Sequence, residues 1–476
     1  MAADPPFVRR LYDASPVWLQ NLMVTVEGYR KKRERYGPHF ARWREFFAES
    51  FAWSRERLEA YQDEQLRQVV RCAWEHVPFY RRRFEALGLT PDDVTTVRDL
   101  PKLPLLEKAD LRAAGRGLLA DNVPEADLHV SRTGGSTGTP LTIYSSGEAL
   151  ERMYGFFWAR DRIGLEFGMP YAAFGANLVV PPSRTRPPFW RENRAARQTL
   201  YSVYHLSPET LEAYVANLAT RRFEYYEGYA TPLVLLARHL LAHPRPFAKY
   251  PRAVFCTSEE LQPLFRETIE RAFQTRVFNQ YGQDEKVTCI TEYACGHMHY
   301  DMDFGIIEFL PVGRTEDGRP LAEMVCTGFQ NFAAPLLRYR VGDLAVPADE
   351  GVRCDAHAGP VVESILGRTG HVLIDKRGRL FHNITAIARD CRNIEMMQCI
   401  QCEPGAVEVR VARGPDYTAD DERILRDQFA RRMDKMEFQV VYVDGPEQFE
   451  RTRLGKFLSI VSRIPPGKVP RPRISG

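Results

Sequence analysis

Apolar positions recur at helical spacing through residues 17 to 115, most clearly from Leu58 to Phe84, where Leu66, Val69, Val70 and Ala73 share one face. Pro78 interrupts that stretch, and Pro101 and Pro104 punctuate the segment after it. From about residue 128 to 345 the pattern alternates. Short β-branched or aromatic runs (Leu128-His129-Val130, Ala253-Val254-Phe255, Arg276-Val277-Phe278) are separated by helical stretches at Thr210 to Ala219, Pro232 to Ala242 and Leu261 to Phe273. That rhythm predicts an α/β fold with a mainly parallel sheet.

Residues 304 to 345 read instead as a β-rich unit. Ile306-Ile307-Glu308-Phe309-Leu310 and Ala322-Glu323-Met324-Val325-Cys326 flank the turn Glu316-Asp317-Gly318-Arg319. Near Gly367-Arg368 the texture changes again. Strands at Ala406 to Val411 and Phe438 to Val443 surround a charged helix from Ala419 to Lys435. The expected architecture is a large N-terminal domain over 1–366, with a helical region over 1–115, mainly parallel sheets and a β-rich part over about 304–366. A small, mobile α+β domain is expected over 367–476. No internal repeat interrupts this order, and low complexity is confined to the Pro- and Arg-rich tail after Ile464.

Composition narrows the functional classes. The chain has 476 residues, 44% hydrophobic and 27% charged, as in ordinary globular proteins. A net charge of +3 gives no reason to expect a nucleic-acid partner, and clusters such as Arg30-Lys31-Lys32-Arg33 read as solvated helix faces. No run approaches the length of a membrane span, and Met1 to Tyr12 lacks an apolar signal core, so no membrane partner is expected. Nine cysteines without a dense framework fit reduced thiols in a cytoplasmic protein.

The chemistry concentrates first at Thr133-Gly134-Gly135-Ser136-Thr137-Gly138-Thr139-Pro140, just before Leu141-Thr142-Ile143-Tyr144. Glycines let backbone N–H groups crowd an anion and the hydroxyls add donors, which is the chemistry of a phosphate-holding loop. No Gly-Lys-Ser/Thr follows, so it is not the P-loop of kinases and GTPases. Four further segments come after it in order. Asn279-Gln280-Tyr281-Gly282-Gln283-Asp284-Glu285 offers an aromatic to stack on a base and a carboxylate for Mg²⁺. Arg338-Tyr339-Arg340-Val341-Gly342-Asp343-Leu344 offers an acceptor for ribose hydroxyls, Gly367-Arg368-Thr369-Gly370 sits at the domain boundary, and Leu454-Gly455-Lys456 offers a mobile cation.

Together these motifs resemble the adenylate-forming superfamily of acyl- and aryl-CoA synthetases. The resemblance runs from about residue 66 to 464 and is strongest to its phenylacetate–CoA ligase-like branch, which includes proteins labelled CapK or coenzyme F390 synthetase. Trp18-Leu19-Gln20-Asn21 and Val77-Pro78-Phe79-Tyr80 are similar to the capsule-cluster side of that branch. The resemblance implies that Thr133, Gly134, Gly135, Ser136, Thr137 and Gly138 hold the ATP β/γ-phosphates. It places Tyr281 and Gly282 at adenine, with Ser258 and Glu259 in the nearby strand-end turn Cys256-Thr257-Ser258-Glu259-Glu260-Leu261. It assigns Mg²⁺ to Glu285, the ribose to Asp343, a nucleotide contact near the hinge to Arg368, and the α-phosphate and carboxylate to Lys456. Tyr226, Gly228 and Tyr229 belong with the wall of the acid pocket at Glu227-Gly228-Tyr229-Ala230, and Phe156, Phe157 and Tyr225 are further aromatic candidates there.

The implied reaction is ATP-dependent activation of a carboxylic acid, aromatic if these rings line the pocket, as an acyl-adenylate with release of pyrophosphate. The acyl group then passes to the thiol of CoA or, alternatively, to an amine, an alcohol or a carrier thiol. A non-catalytic nucleotide-binding homologue is a third reading, opposed by intact Glu285, Asp343 and Lys456. The chain departs from the pattern in carrying Thr139 where many members have Lys, Asp284 where Ser or Thr is usual, and no acidic pair in Arg368-Thr369-Gly370-His371. Separately, Cys295-Gly296-His297-Met298-His299 and Cys354-Asp355-Ala356-His357 have the spacing of two zinc knuckles. The expected structural Zn²⁺ ligands are Cys295, His299, Cys354 and His357, with His297 as the alternative ligand and Cys289 in reserve.

Overall fold

A computed structural model describes residues 6–132, 141–160, 164–315, 318–349, 351–352, 354–368, 373–376, 380–381, 387, 393–433, 436–452 and 455–464. The loop 133–140, residues 316–317 of the expected turn, Thr369-Gly370-His371 and Leu454 lie outside the described residues.

The N-terminal region is helical, as its periodicity predicts: α1 (Pro6–Ala14), α2 (Val17–Arg35), α3 (Phe40–Ser50), α4 (Arg55–His76), α5 (Pro78–Leu87) and α6 (Lys108–Ala114). Pro78 is the reason α4 and α5 are separate. It forces Val77 into extended backbone (φ −116°, ψ 106°) and itself takes the first turn of α5, where its missing N–H costs nothing. Ser54 caps α4 through the Arg57 amide, and Gly88, left-handed at φ 65°, ends α5. No described helix is long and apolar enough to cross a membrane.

A hairpin of β1 (Leu128–Arg132) and β2 (Thr142–Ser146) leads into α7 (Gly147–Arg160). The alternating section then gives β3 (Tyr171–Phe174), β4 (Trp190–Asn193), β5 (Gln198–Tyr201), α8 (Pro208–Thr220), β6 (Tyr225–Gly228), α9 (Ala230–Ala242), β7 (Ala253–Thr257), α10 (Pro263–Phe273) and β8 (Val277–Gly282), followed by β9 (Cys289–Glu292) and β10 (Met298–Tyr300). These strands form one eight-stranded sheet in the order β10-β9-β8-β7-β6-β3-β5-β4. The pairs from β8 to β5 are parallel, and the two edges are antiparallel. Both faces of the parallel part are covered. Helices α8, α9 and α10 pack on Phe174, Tyr226, Val254 and Cys256, while Trp158 of α7 packs on the opposite face with Tyr225 and Phe255. Burial on both sides is why Ala253-Val254-Phe255 of β7 reads as a continuous apolar run.

The β-rich unit is an antiparallel sheet, β11 (Gly305–Arg314), β12 (Pro320–Gly328), β13 (Tyr339–Pro347) and β14 (Val362–Arg368). After a short ribbon of β15 (Leu373–Ile374) and β16 (Leu380–Phe381), the C-terminal unit contains β17 (Ile394–Glu403), β18 (Ala406–Arg413), α11 (Ala419–Arg432), β19 (Glu437–Val443) and β20 (Ile460–Ser462). Its four strands form their own sheet in the order β19-β18-β17-β20. Leu425 and Phe429 of α11 pack on Val409, Val411 and Cys399 in a core of its own. A second apolar patch, with Met396, Ala412, Val443, Phe449 and Phe457, joins the core on the α9 side of the central sheet.

The β-rich sheet reaches the central sheet through a close backbone approach. A Cβ on Gly305, at the start of β11, would lie 2.1 Å from the Val287 carbonyl oxygen and 3.0 Å from that of Thr327. Backbone atoms on both sides leave no flexible group to yield. Gly305→Ala is therefore expected to destabilise the protein by about 1–3 kcal/mol or more, seen as a melting temperature several degrees lower. Gly117→Ala, which meets open space, should stay within about 0.5 kcal/mol of the parent. Equal melting curves for both variants would show that the approach at Gly305 is not a tight constraint.

Candidate active site

Parallel strands deliver their C-terminal ends to one edge of the sheet, where α/β proteins keep their sites. Here the ends of β6, β7 and β8 bring up Gly228, Ser258 and Gly282. Gly228 has φ 152°, and a Cβ there would sit 2.3 Å from the Phe174 carbonyl oxygen, so only glycine lets β6 and β3 end side by side. Ser258 takes a left-handed conformation (φ 67°) and turns the chain sharply after β7.

Tyr281, at the end of β8, donates its hydroxyl to Asp343 Oδ2 at 2.6 Å and accepts from Gln283 Nε2 at 2.6 Å. Burial, then the neighbouring carboxylate, push the Tyr281 phenol well above its ordinary pKa, so it remains a donor. Asp343 stands on β13, and its backbone pairs with that of Arg368 on β14. The Arg368 side chain is outside the described set. The two sheets thus meet at a phenol–carboxylate contact.

Glu285 follows on the same side and is buried, its Oε1 accepting the Tyr339 hydroxyl at 2.9 Å. Lys286 is also buried and left-handed at φ 58°. Its ammonium donates to Ser145 Oγ at 3.1 Å and to the Asp284 carbonyl at 3.0 Å, and burial lowers its pKa. Ser145 lies on β2, so this lysine ties the hairpin that carries the Gly-rich loop to the segment holding Glu285. The loop residues Thr133, Gly134, Gly135, Ser136, Thr137 and Gly138 are outside the described residues.

Lys456 reaches the site from the C-terminal unit. A tight turn carries it: Gly455, left-handed at φ 76°, donates to the Thr452 carbonyl at 2.8 Å, and Thr452 N donates to the Lys456 carbonyl at 2.8 Å. The Lys456 ammonium stands 5.5 Å from the centroid of the Tyr229 ring, within cation–π range. Gln398 of β17 braces the base of the turn, donating to the carbonyls of Glu450 (2.9 Å) and Leu458 (2.8 Å). Glu259 accepts from the Thr231 amide at 2.9 Å and from the Phe457 amide at 2.7 Å. Burial raises its pKa, against the pull of those two amides.

The structure therefore brings Lys456, Tyr229, Gly228, Ser258, Glu259 and, further along the strand ends, Tyr281, Gly282, Asp343 and Glu285 to one side of the fold. It does not bring Tyr226. That residue faces the helix-covered side, fully buried against Phe174, Phe223 and Phe273. Successive strand residues point to opposite faces, so Tyr226 fills the core. Phe156 is likewise a core residue, packed on Phe47 and Phe304. Tyr225 stacks on Tyr171 with centroids 4.7 Å apart. Tyr339, which the sequence offered only as part of the Asp343 segment, and Lys286 hold the Glu285 segment and were assigned no role from the sequence.

The knuckles also assemble. The ligand atoms of Cys295, His297, His299 and Cys354 all lie within 4.8 Å of one another. His299 donates Nδ1 to the Gly359 carbonyl at 2.8 Å, which leaves Nε2 facing Cys295 Sγ at 3.5 Å. Burial raises the Cys295 thiol, whereas the hydrogen bond with His297 holds the Cys354 thiol below its usual range. His357 is not in the group. Its ring stacks on Phe51, and its Nδ1 donates to the Phe51 carbonyl at 3.2 Å, so His297 takes the place expected for it. Cys289 is buried, with its sulfur donating to the Tyr281 carbonyl at 3.2 Å.

No family model matches the chain. It is 28% identical to protein CapK of Staphylococcus aureus over 336 residues, which span 70% of this chain and 72% of that protein. It is 27% identical to the phenylacetate–coenzyme A ligase of Thermus thermophilus over 356 residues, covering 67% and 72% respectively. Among solved structures, 2-hydroxyisobutyryl-CoA ligase in the postadenylation state superposes with a TM-score of 0.62 at 18% identity, over 87% of this chain and 90% of that one. That likeness fixes the fold of the large and small units.

Proposed function

We propose that this chain, which belongs to the adenylate-forming superfamily on its phenylacetate–CoA ligase-like branch, is an AMP-forming ligase that adenylates a carboxylic acid and passes the acyl group to CoA. The observation that carries the reading is the placement of Lys456, from the far end of the chain, over Tyr229 at the strand ends.

A carboxylate is a weak nucleophile, and its charge repels ATP. The site must bring one of its oxygens in line with the α-phosphorus and neutralise the charge that gathers there. The attacking oxygen forms a bond to phosphorus as the bond to pyrophosphate breaks, leaving an acyl-adenylate. In the second step the CoA sulfur bonds to the acyl carbon, its proton is lost, and AMP departs with the electron pair. Lys456 supplies the cation for the first step, and the loop 133–138 the phosphate donors. Asp343 offers acceptors to the ribose hydroxyls, for which the Tyr281 hydroxyl is the present occupant. Glu285, fixed by Tyr339, is the residue suited to Mg²⁺, which would offset phosphate charge when bound. Tyr229 and Gly228 line the acid side. A cytoplasmic setting suits the free thiols found among the described cysteines.

The residues after about 367 act as a small domain that turns between the two steps. Its separate sheet and core support this, as does the position of Lys456 on a turn that only that unit carries. Cys295, His297, His299 and Cys354 would hold one Zn²⁺. Two thiolates and two imidazoles are a full tetrahedral set with no open position, so the ion would be structural.

The direct test is a panel of carboxylic acids assayed for pyrophosphate release from ATP, with and without CoA. Acid-dependent pyrophosphate and AMP, with thioester formed when CoA is present, are expected. ATP cleaved to ADP by the responding acid would overturn the reading.

Lys456→Ala should lower adenylate formation about 10²–10³-fold, the usual effect of losing one donor at a developing oxyanion. Transfer from a supplied acyl-adenylate should fall much less; equal losses would remove Lys456 from the first step.

Asp343→Ala should weaken ATP binding by about 1.5–3 kcal/mol, the value of a charged hydrogen-bond acceptor. Calorimetry showing unchanged affinity would take Asp343 out of the nucleotide site.

Protein purified without chelators should carry about one zinc per chain, as one four-ligand site requires. Cys354→Ser and His297→Ala should each lower metal content and melting temperature together, whereas His357→Ala should leave the metal in place. Elemental analysis without zinc would refute the site.

A further inference from the structure

We infer that Glu259 is a positioning residue that holds Lys456 in its adenylating place, a role that rests on the ligase reading. Resemblance alone put Glu259 beside the nucleotide. The geometry gives its carboxylate a different task. One oxygen accepts the amide of Thr231, in the first turn of α9, at 2.9 Å. The other accepts the amide of Phe457, next in the chain after Lys456, at 2.7 Å. Glu259 and Phe457 are 198 residues apart in the sequence. A single side chain thus bridges a fixed helix start on the large unit and the turn that presents the lysine.

The path from Glu259 to the lysine is short and stiff. The left-handed Ser258 sets the direction in which the next residue leaves β7. On the far side, Arg451 and Phe457 bridge across the turn, and Gln398 clamps its base. The Phe457 ring is buried against Phe449, with centroids 5.7 Å apart. Fixing the Phe457 amide therefore fixes the neighbouring Cα of Lys456 and, with it, the reach of its ammonium over Tyr229.

Two further contacts flank this one. Ser459 Oγ donates to Glu260 Oε2 at 3.0 Å in an exposed pair. Arg238 of α9 donates to the Glu395 carbonyl on β17. Glu259 differs from both in using its two carboxylate oxygens on two backbone amides, one from each side of the contact. A glutamine there keeps one acceptor and turns an NH₂ group toward an amide that is itself a donor. An alanine keeps neither bond. When the C-terminal unit swings away for the second step, the contact with Phe457 is given up, so removing Glu259 burdens the first step alone.

The experiment compares Glu259→Ala and Glu259→Gln with the parent enzyme in three measurements. Acid-dependent ATP–pyrophosphate exchange should fall about tenfold or more in Glu259→Ala, the effect of losing one charged hydrogen bond, and by less in Glu259→Gln. Transfer to CoA from a supplied acyl-adenylate should be unchanged or faster, with ATP affinity retained. In the ligand-free protein, amide hydrogen exchange over residues 455–460 should speed up in Glu259→Ala, while that of β18 stays as in the parent. Equal loss in both half-reactions, or unaltered amide exchange at 455–460, would overturn the assignment. If the parent enzyme supports no pyrophosphate exchange with any acid, the ligase reading falls, and the amide-exchange measurement still decides whether Glu259 holds the turn.

Discussion

A lysine near the end of the chain stands over Tyr229, beside groups that leave the sheet some two hundred residues earlier. Among the described residues, a few hydrogen bonds and an apolar patch hold its segment there. The Thr231–Glu259–Phe457 bridge, with Arg238 and Ser459 beside it, is laid over an apolar patch of Met396, Ala412, Val443, Phe449 and Phe457. The patch is non-directional and would allow the C-terminal unit to settle in several registers. The carboxylate is directional and admits one. The hydrogen bonds add little net free energy, but the geometry they impose is specific.

A comparable economy appears where the two sheets meet. Tyr281 comes from the central sheet and Asp343 from the β-rich sheet, and their hydrogen bond is the polar contact between them nearest the strand ends. Tyr281 gives the Asp343 carboxylate a donor where the two sheets meet and holds it in position. The phenol remains protonated because burial and the carboxylate both oppose its ionisation.

The sequence was most legible where the physics is local. Of the alternation expected over about 128–345, the part from β3 to β10 forms the central sheet, while Leu128-His129-Val130 joins a separate antiparallel hairpin. Pro78 divides α4 from α5 for steric reasons evident without coordinates. Two misplacements also had local remedies. Tyr225 and Tyr226 are consecutive strand residues, so they point to opposite faces and could not both line the acid pocket; both faces are covered, and both rings are buried. His297, just before β10, and His299, within it, are two apart and lie on one side, whereas His357 follows Cys354 by three in a loop and turns to Phe51. The role of Glu259 had no such remedy. Its partner amide is carried by residue 457, and nothing in either segment marks the pairing.

The Cys/His group bears on the same geometry from behind. Cys295, His297 and His299 lie on the β9–β10 hairpin, and β9 pairs with β8, the strand that ends in Tyr281. Cys354 lies in the connection from β13, which carries Asp343, to β14, and the bridge between His299 and Val361 closes the same gap. An ion held by these four residues would rivet the edge of the central sheet to the β-rich sheet. It would restrict how far the strand bearing Tyr281 can shift against the strand bearing Asp343. A closed ligand set is then better suited than an open one, because the task is to keep two sheets in register and not to bind a reacting group.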